Sequence, residues 1–134
     1  MTTALRNLKV LLVDDDADSR ELLGEILGAR GASVSTASSV EQALSLFGQE
    51  RPDVIVSDLG MPGEGGLALI RRVRALSRED GGATVAIAVT GSMASRDRIA
   101  SVEAGFQAHL AKPVDVATLV RLILELAGSS TAAP

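Results

Sequence analysis

The chain has 134 residues, 46% of them hydrophobic and 22% charged, with a formal net charge of −4. That is enough for one domain, able to bury roughly two thirds of its unfolded surface. The absence of cysteine excludes a disulfide scaffold and a thiolate metal site, and the acidic balance argues against direct nucleic-acid binding. No apolar run approaches the roughly 20 residues that span a bilayer, and no signal-peptide core follows Met1, so a soluble cytoplasmic protein without membrane insertion is expected.

With two Phe and no Tyr or Trp, the core has to be built from Val, Leu, Ile and Ala. In chain order, Lys9 to Val13 is a short β-branched run stopped by Asp14-Asp15-Asp16, which predicts a buried strand. From about Asp18 to Arg30, Leu22, Leu23, Ile26 and Leu27 recur at helical spacing, and Gly31 stands where a helix ends. Ala32 to Thr36 predicts a second strand, and Ser39 caps a helix running to about Glu50. Asp53 to Asp58 is a third strand that, like the first, finishes in a carboxylate. The glycine-rich stretch Gly60 to Gly66 is a loop, and Leu67 to Leu76 a helix with Leu69, Ile70 and Val73 turned inward. After a polar loop at Arg78 to Gly82, Ala83 to Thr90 predicts a strand covered on both faces. Arg96 to Ala104 is a helix, Ala108 to Lys112 a fifth strand, Val116 to Ala127 a last helix, and 128–134 a flexible tail.

Alternating strands and helices imply parallel pairing with right-handed crossovers. Five such units predict an α/β domain: a doubly wound, five-stranded parallel sheet of order 2-1-3-4-5 with helices on both faces. Ligands of such sheets bind beyond the carboxyl ends of the strands, near the reversal of strand order. Asp14, Asp15, Asp16, Asp58, Thr90 and Lys112 all fall on that edge. Taken singly, the Asp run reads as a solvated turn or helix cap, Asp58 as a loop cap or functional group, Thr90 as a turn residue and Lys112 as surface. Their convergence favours a site. Asp14, Asp15 and Asp58 contribute −3 and Lys112 +1, leaving −2, and crowded carboxylates call for a counter-ion. All-oxygen donors suit Mg²⁺, or Mn²⁺. Carboxylate-held metal is half of a phosphoryl-transfer site, the other half being a nucleophile and groups that neutralise the phosphoryl oxygens.

The ordered set Val10 to Asp16, Asp58 with Met61-Pro62, Thr90-Gly91 and Lys112-Pro113 resembles the receiver domain of two-component response regulators over about residues 8–127. The resemblance implies a flavodoxin-like fold and a phosphoacceptor at Asp58, charged by a histidine kinase or histidine phosphotransfer domain. It also implies metal ligation by Asp14, Asp15, Asp58 and the backbone carbonyl of Gly60, and phosphoryl contacts from Thr90 and Lys112. The Lys112–Pro113 bond is expected to be cis, and the 91–112 region to switch conformation. Three features depart from the pattern. His109 stands where Tyr or Phe commonly rotates with the threonine, and reads either as a polar switch or as an edge-strand surface residue. Gly60 and Ser92 leave the acceptor's surroundings open, and Gly65-Gly66 replaces an acidic residue before glycine.

In the last helix, Thr118, Arg121 and Glu125 fill a narrow arc, while Val116, Leu119, Val120, Leu122, Ile123, Leu124 and Leu126 spread over more than half the circumference. That surplus is read either as a surface for a kinase, a phosphotransfer domain or a second copy, or as surface covered by neighbouring helices or by Lys and Arg stems. No effector domain follows Ala127, so a stand-alone receiver and one excised from a hybrid kinase are both open. Two other functions compete: a Mg²⁺-dependent aspartate-nucleophile phosphatase resembling the haloacid dehalogenases, and an interaction module that works without phosphorylation.

Overall fold

The computed structural model describes residues 4–60, 65–91 and 95–128. Met61, Pro62 and Ser92 of the sequence motifs, and residues 129–134 of the expected tail, lie outside the described residues. Five strands and five helices alternate: β1 (Lys9–Val13), α1 (Ala17–Ala29), β2 (Ser33–Ala37), α2 (Val40–Glu50), β3 (Val54–Asp58), α3 (Gly66–Arg74), β4 (Val85–Thr90), α4 (Ser95–Ala104), β5 (Ala108–Ala111) and α5 (Val116–Ile123). All strand pairs are parallel, in the order β2-β1-β3-β4-β5. β4 starts two residues later than expected because Thr84 is still held in a turn, its amide donating to the Gly81 carbonyl at 3.0 Å. β5 ends at Ala111, although Lys112 keeps the pairing going through its amide to the Thr90 carbonyl at 2.8 Å.

Period-two alternation sorts each strand between two cores. Leu11, Val13, Ile55, Ala86 and Ala88 face α2, α3 and α4, where both Phe side chains, Phe47 and Phe106, are buried. Val10, Leu12, Val54, Val56, Ile87 and Val89 face α1 and α5, a side packed by aliphatic residues alone. The capping chemistry is local. Asp16 accepts the Ser19 amide at 3.0 Å to start α1, Ser39 accepts the Gln42 amide at 3.2 Å to start α2, and Gly31 leaves α1 with φ of 99°.

Two helices differ from their sequence reading. In α1 only Leu27 is fully buried, and Leu22 is 60% exposed, because Leu23 and Leu27 share the sheet-facing row while Leu22 sits one step around the helix. After α5 the chain widens into a π-helical turn, Leu124–Gly128, so Gly128 is structured and not tail. The broad apolar girth of this helix is mostly occupied. Leu119, Val120, Ile123 and Ala127 are buried with Leu5 and Leu8 from the N-terminal segment, Leu122 and Leu126 pack against them, and Leu124 stays exposed at 37%. The N-terminal leucines take up surface that the helix pattern alone left without a neighbour.

Candidate functional site

The parallel topology puts the ends of β1, β3, β4 and β5 on one edge, and each delivers one polar side chain there. Asp14, Asp58 and Thr90 are buried in spite of their polarity, at 7%, 8% and 6% exposure, while Asp15 is exposed. β1 and β3 are neighbours, so the Asp14, Asp15 and Asp58 carboxylates each offer an oxygen within 4.8 Å of the others. Lys112 reaches in from beyond β5, with Nζ 3.3 Å from Asp14 Oδ2 and 3.2 Å from Asp58 Oδ2. The Lys112–Pro113 peptide bond is cis.

Both buried acids are held by donors. Asp58 Oδ1 accepts the Gly60 amide at 3.1 Å, and Asp14 Oδ1 accepts the Asp16 amide at 3.0 Å. Burial alone would lower the Lys112 ammonium. The hydrogen bond to Asp58, the charges of Asp14 and Asp58 and the bond to Asp14 outweigh it, and the group lies above the ordinary lysine range. Asp16 lies below the ordinary carboxylate range because the Ser19 hydroxyl and amide donate to it, although it is fully exposed.

Close packing supports the acceptor strand. A Cβ on Gly66 would stand 2.5 Å from the Asp58 carbonyl oxygen and 3.0 Å from Ser57 Oγ, so only glycine lets α3 begin against the end of β3. Beside the acids a groove of about 480 Å³ runs between α1 and the segment after β5, over Leu12, Val56 and Val89 and along the exposed Leu22.

His109 is half-buried and turned toward α4. Its Nδ1 lies 3.0 Å from Ser101 Oγ, and that fully buried hydroxyl donates to the Arg98 carbonyl at 2.9 Å. A hydroxyl has one proton, so Nδ1–H donates to Ser101. Nε2 is then a buried acceptor without a partner among the described residues. Two site contacts escaped sequence reasoning: this Ser101–His109 link between α4 and β5, and Arg20, whose Nη1 donates to the Asp14 carbonyl at 2.8 Å. Neither has a sequence signal, since each depends on how one helix is turned against a strand end.

The geometry is matched by kinship: a profile of the response regulator receiver domain fits residues 10–124. The chain belongs to the response regulator receiver domain family. Among the relatives, an uncharacterized 14.6 kDa protein from the sodA1 3′ region of Leptolyngbya boryana is 43% identical over 119 residues, covering 89% of each chain. The transcriptional regulatory protein PrrA of Mycobacterium leprae is 35% identical over 127 residues, 94% of this chain but 52% of that protein. This chain thus spans about half the length of PrrA. A receiver protein from Pseudomonas putida superposes with a TM-score of 0.79 at 36% identity, covering 88% of this chain and 96% of that one. The protein is therefore a receiver domain of two-component signalling, one of a family of phosphoacceptor modules. Among its described residues no helix is long and apolar enough to cross a membrane.

This receiver's acid cluster fits a hard divalent cation. Its donors are all oxygen, two of the three carboxylates are buried, and their charge exceeds that of the one lysine between them.

Proposed function

We propose that Asp58 is the residue that accepts the phosphoryl group, from a phosphohistidine on a kinase or phosphotransfer domain, in the company of Mg²⁺ or Mn²⁺. The observation that carries this reading is the convergence on Asp58. Lys112 Nζ, the Gly60 amide and the Asp14 and Asp15 carboxylates surround one buried acid at the end of the central strand. In the transfer, an Asp58 carboxylate oxygen forms the new P–O bond. The P–N bond of the donor breaks, and its electron pair stays on the imidazole nitrogen, which takes up a proton. Lys112 stabilises the charge that develops on the phosphoryl oxygens, and the Thr90 hydroxyl donates to another of them. Asp14, Asp15, Asp58 and the Gly60 carbonyl would hold the metal ion, which when bound supplies further positive charge to those oxygens.

The apolar groove and the exposed Leu22 beside the acids suit a donor helix laid along α1. The added charge then acts on the 91–112 region. Thr90 is bonded through its carbonyl to Lys112, and α4 is tied to β5 by Ser101 and His109, so movement of either end is passed to the other. In this receiver a hydrogen-bonded histidine takes the switch position.

The test is incubation with Mg²⁺ and acetyl phosphate, followed by intact mass. The wild type gains one phosphoryl group and Asp58→Asn gains none. Dependence on Asp14 with turnover of the donor would instead support phosphatase chemistry, and no adduct would support an interaction module.

A further inference from the structure

The four backbone and side-chain polar groups of Asp14 are all engaged, by four different parts of the chain. Its amide donates to the Ala37 carbonyl at 3.1 Å, its Oδ1 accepts the Asp16 amide, its Oδ2 faces Lys112, and its carbonyl accepts from Arg20 Nη1 at 2.8 Å. That carbonyl belongs to the peptide joining Asp14 to Asp15, two of the three acids whose oxygens cluster within 4.8 Å. The orientation of this one peptide plane therefore governs how both carboxylates are presented.

Arg20 is an unexpected residue for this place. It lies in the first turn of α1, where a cation opposes the helix dipole. It also lies beside acids that need their negative charge to attract a metal. Among the described residues its guanidinium hydrogen-bonds a carbonyl and not a carboxylate, so it does not act as a salt-bridge partner that would tie up a ligand. A residue with two electrostatic drawbacks and one directed hydrogen bond points to a geometric task.

We propose that Arg20 is a positioning residue: by holding the Asp14–Asp15 peptide through the Asp14 carbonyl, it presents the two carboxylates beside Asp58 and so sets the affinity of the receiver for Mg²⁺. The proposal rests on the metal-dependent acceptor reading above. Its charge and its geometry make opposite forecasts, which is what makes it decidable. As a mere positive charge, Arg20 weakens cation binding and its removal tightens it. As a positioning group it strengthens binding, and outer partners of metal ligands are typically worth about tenfold or more in affinity.

The experiment is Mg²⁺ titration of the full chain by calorimetry and by amide NMR shifts of Asp15 and Asp16. It compares the wild type with Arg20→Met and Arg20→Lys, with melting of the metal-free proteins alongside. Arg20→Met is expected to bind Mg²⁺ about tenfold more weakly, with its metal-free melting unchanged. Arg20→Lys, which keeps a donor of similar reach, is expected to recover part of the loss. Phosphorylation of Arg20→Met by acetyl phosphate is expected to lag at low Mg²⁺ and return to the wild-type rate at saturation. Mg²⁺ binding in Arg20→Met as tight as or tighter than in the wild type overturns the proposal, as does a loss that merely follows lowered melting. Should Arg20→Met not fold, Arg20→Gln is read by the same criteria. A wild type that binds no Mg²⁺ overturns both this proposal and the metal-dependent reading, whereas a wild type that binds while the variants match it overturns this proposal alone.

Discussion

Lys112 Nζ and Asp58 Oδ2 are 3.2 Å apart although 54 residues separate them in the chain, and the same ammonium is 3.3 Å from Asp14. The lysine is thus both a structural tie across β1, β3 and β5 and the cation nearest the acceptor. Lys112→Met is expected to slow phosphorylation of Asp58 about a hundredfold, the scale for losing one charge-stabilising donor. Mg²⁺ binding is expected to tighten in the same variant, because a competing cation has gone. Rates with acetyl phosphate and a calorimetric Mg²⁺ titration check both. The sign of the pH effect follows from the raised Lys112 value. Its stabilisation is fully present below the ordinary lysine pKa, about 10.4, and is lost as pH rises through the higher folded value. Melting temperature should therefore carry no Lys112 contribution to its slope near neutrality and fall at strongly alkaline pH, and Lys112→Met should blunt that fall.

Leu22 is expected to matter to the donor and not to the chemistry. It is 60% exposed on α1 beside the acids but makes no contact with the acceptor that any described bond requires. Leu22→Glu should slow transfer from a phosphohistidine protein about tenfold, the effect of roughly 1.4 kcal/mol at an interface. The rate with acetyl phosphate should be unchanged, and comparing the two donors on one preparation decides it.

Gly66→Ala should damage the acceptor from behind. The added Cβ would lie 2.5 Å from the Asp58 carbonyl oxygen, a backbone atom that cannot turn aside. Overpacking of this kind costs about 1–3 kcal/mol. A lower denaturant midpoint and slower phosphorylation should appear together, since relief requires α3 or the end of β3 to move.

Much of this receiver could be read from the chain. Asp14, Asp58, Thr90 and Lys112 are legible because a parallel sheet gathers strand ends on one edge, so topology alone brings them together. The apolar periodicity of Leu69, Ile70 and Val73 likewise fixes which side of α3 is buried. Contacts set by side-chain reach between separate elements are not legible. Arg20 could not be paired with a carbonyl, nor Leu5 and Leu8 with the last helix, without knowing the rotation of each helix on the sheet. His109 shows the same limit. Its residue type suggested either a switch or a surface position, and only its bond to the buried Ser101 shows it turned inward.

That bond yields a further expectation. Ser101→Ala would leave the half-buried His109 without its Nδ1 partner, costing about 1 kcal/mol, the low end for a lost partner. His109→Phe, which removes the unpartnered Nε2 as well, should be neutral or stabilising. Urea midpoints of the two variants should move in opposite directions or differ by at least that amount.

The most direct measurement is chemical mapping of the phosphoryl group. After incubation with Mg²⁺ and acetyl phosphate, borohydride reduction converts an aspartyl phosphate to homoserine, which peptide sequencing by mass spectrometry locates. Homoserine at position 58, absent when Mg²⁺ is withheld, is the predicted result. Homoserine at position 14 or 15, or none in folded protein supplied with both reagents, would contradict the assignment of Asp58 as the acceptor.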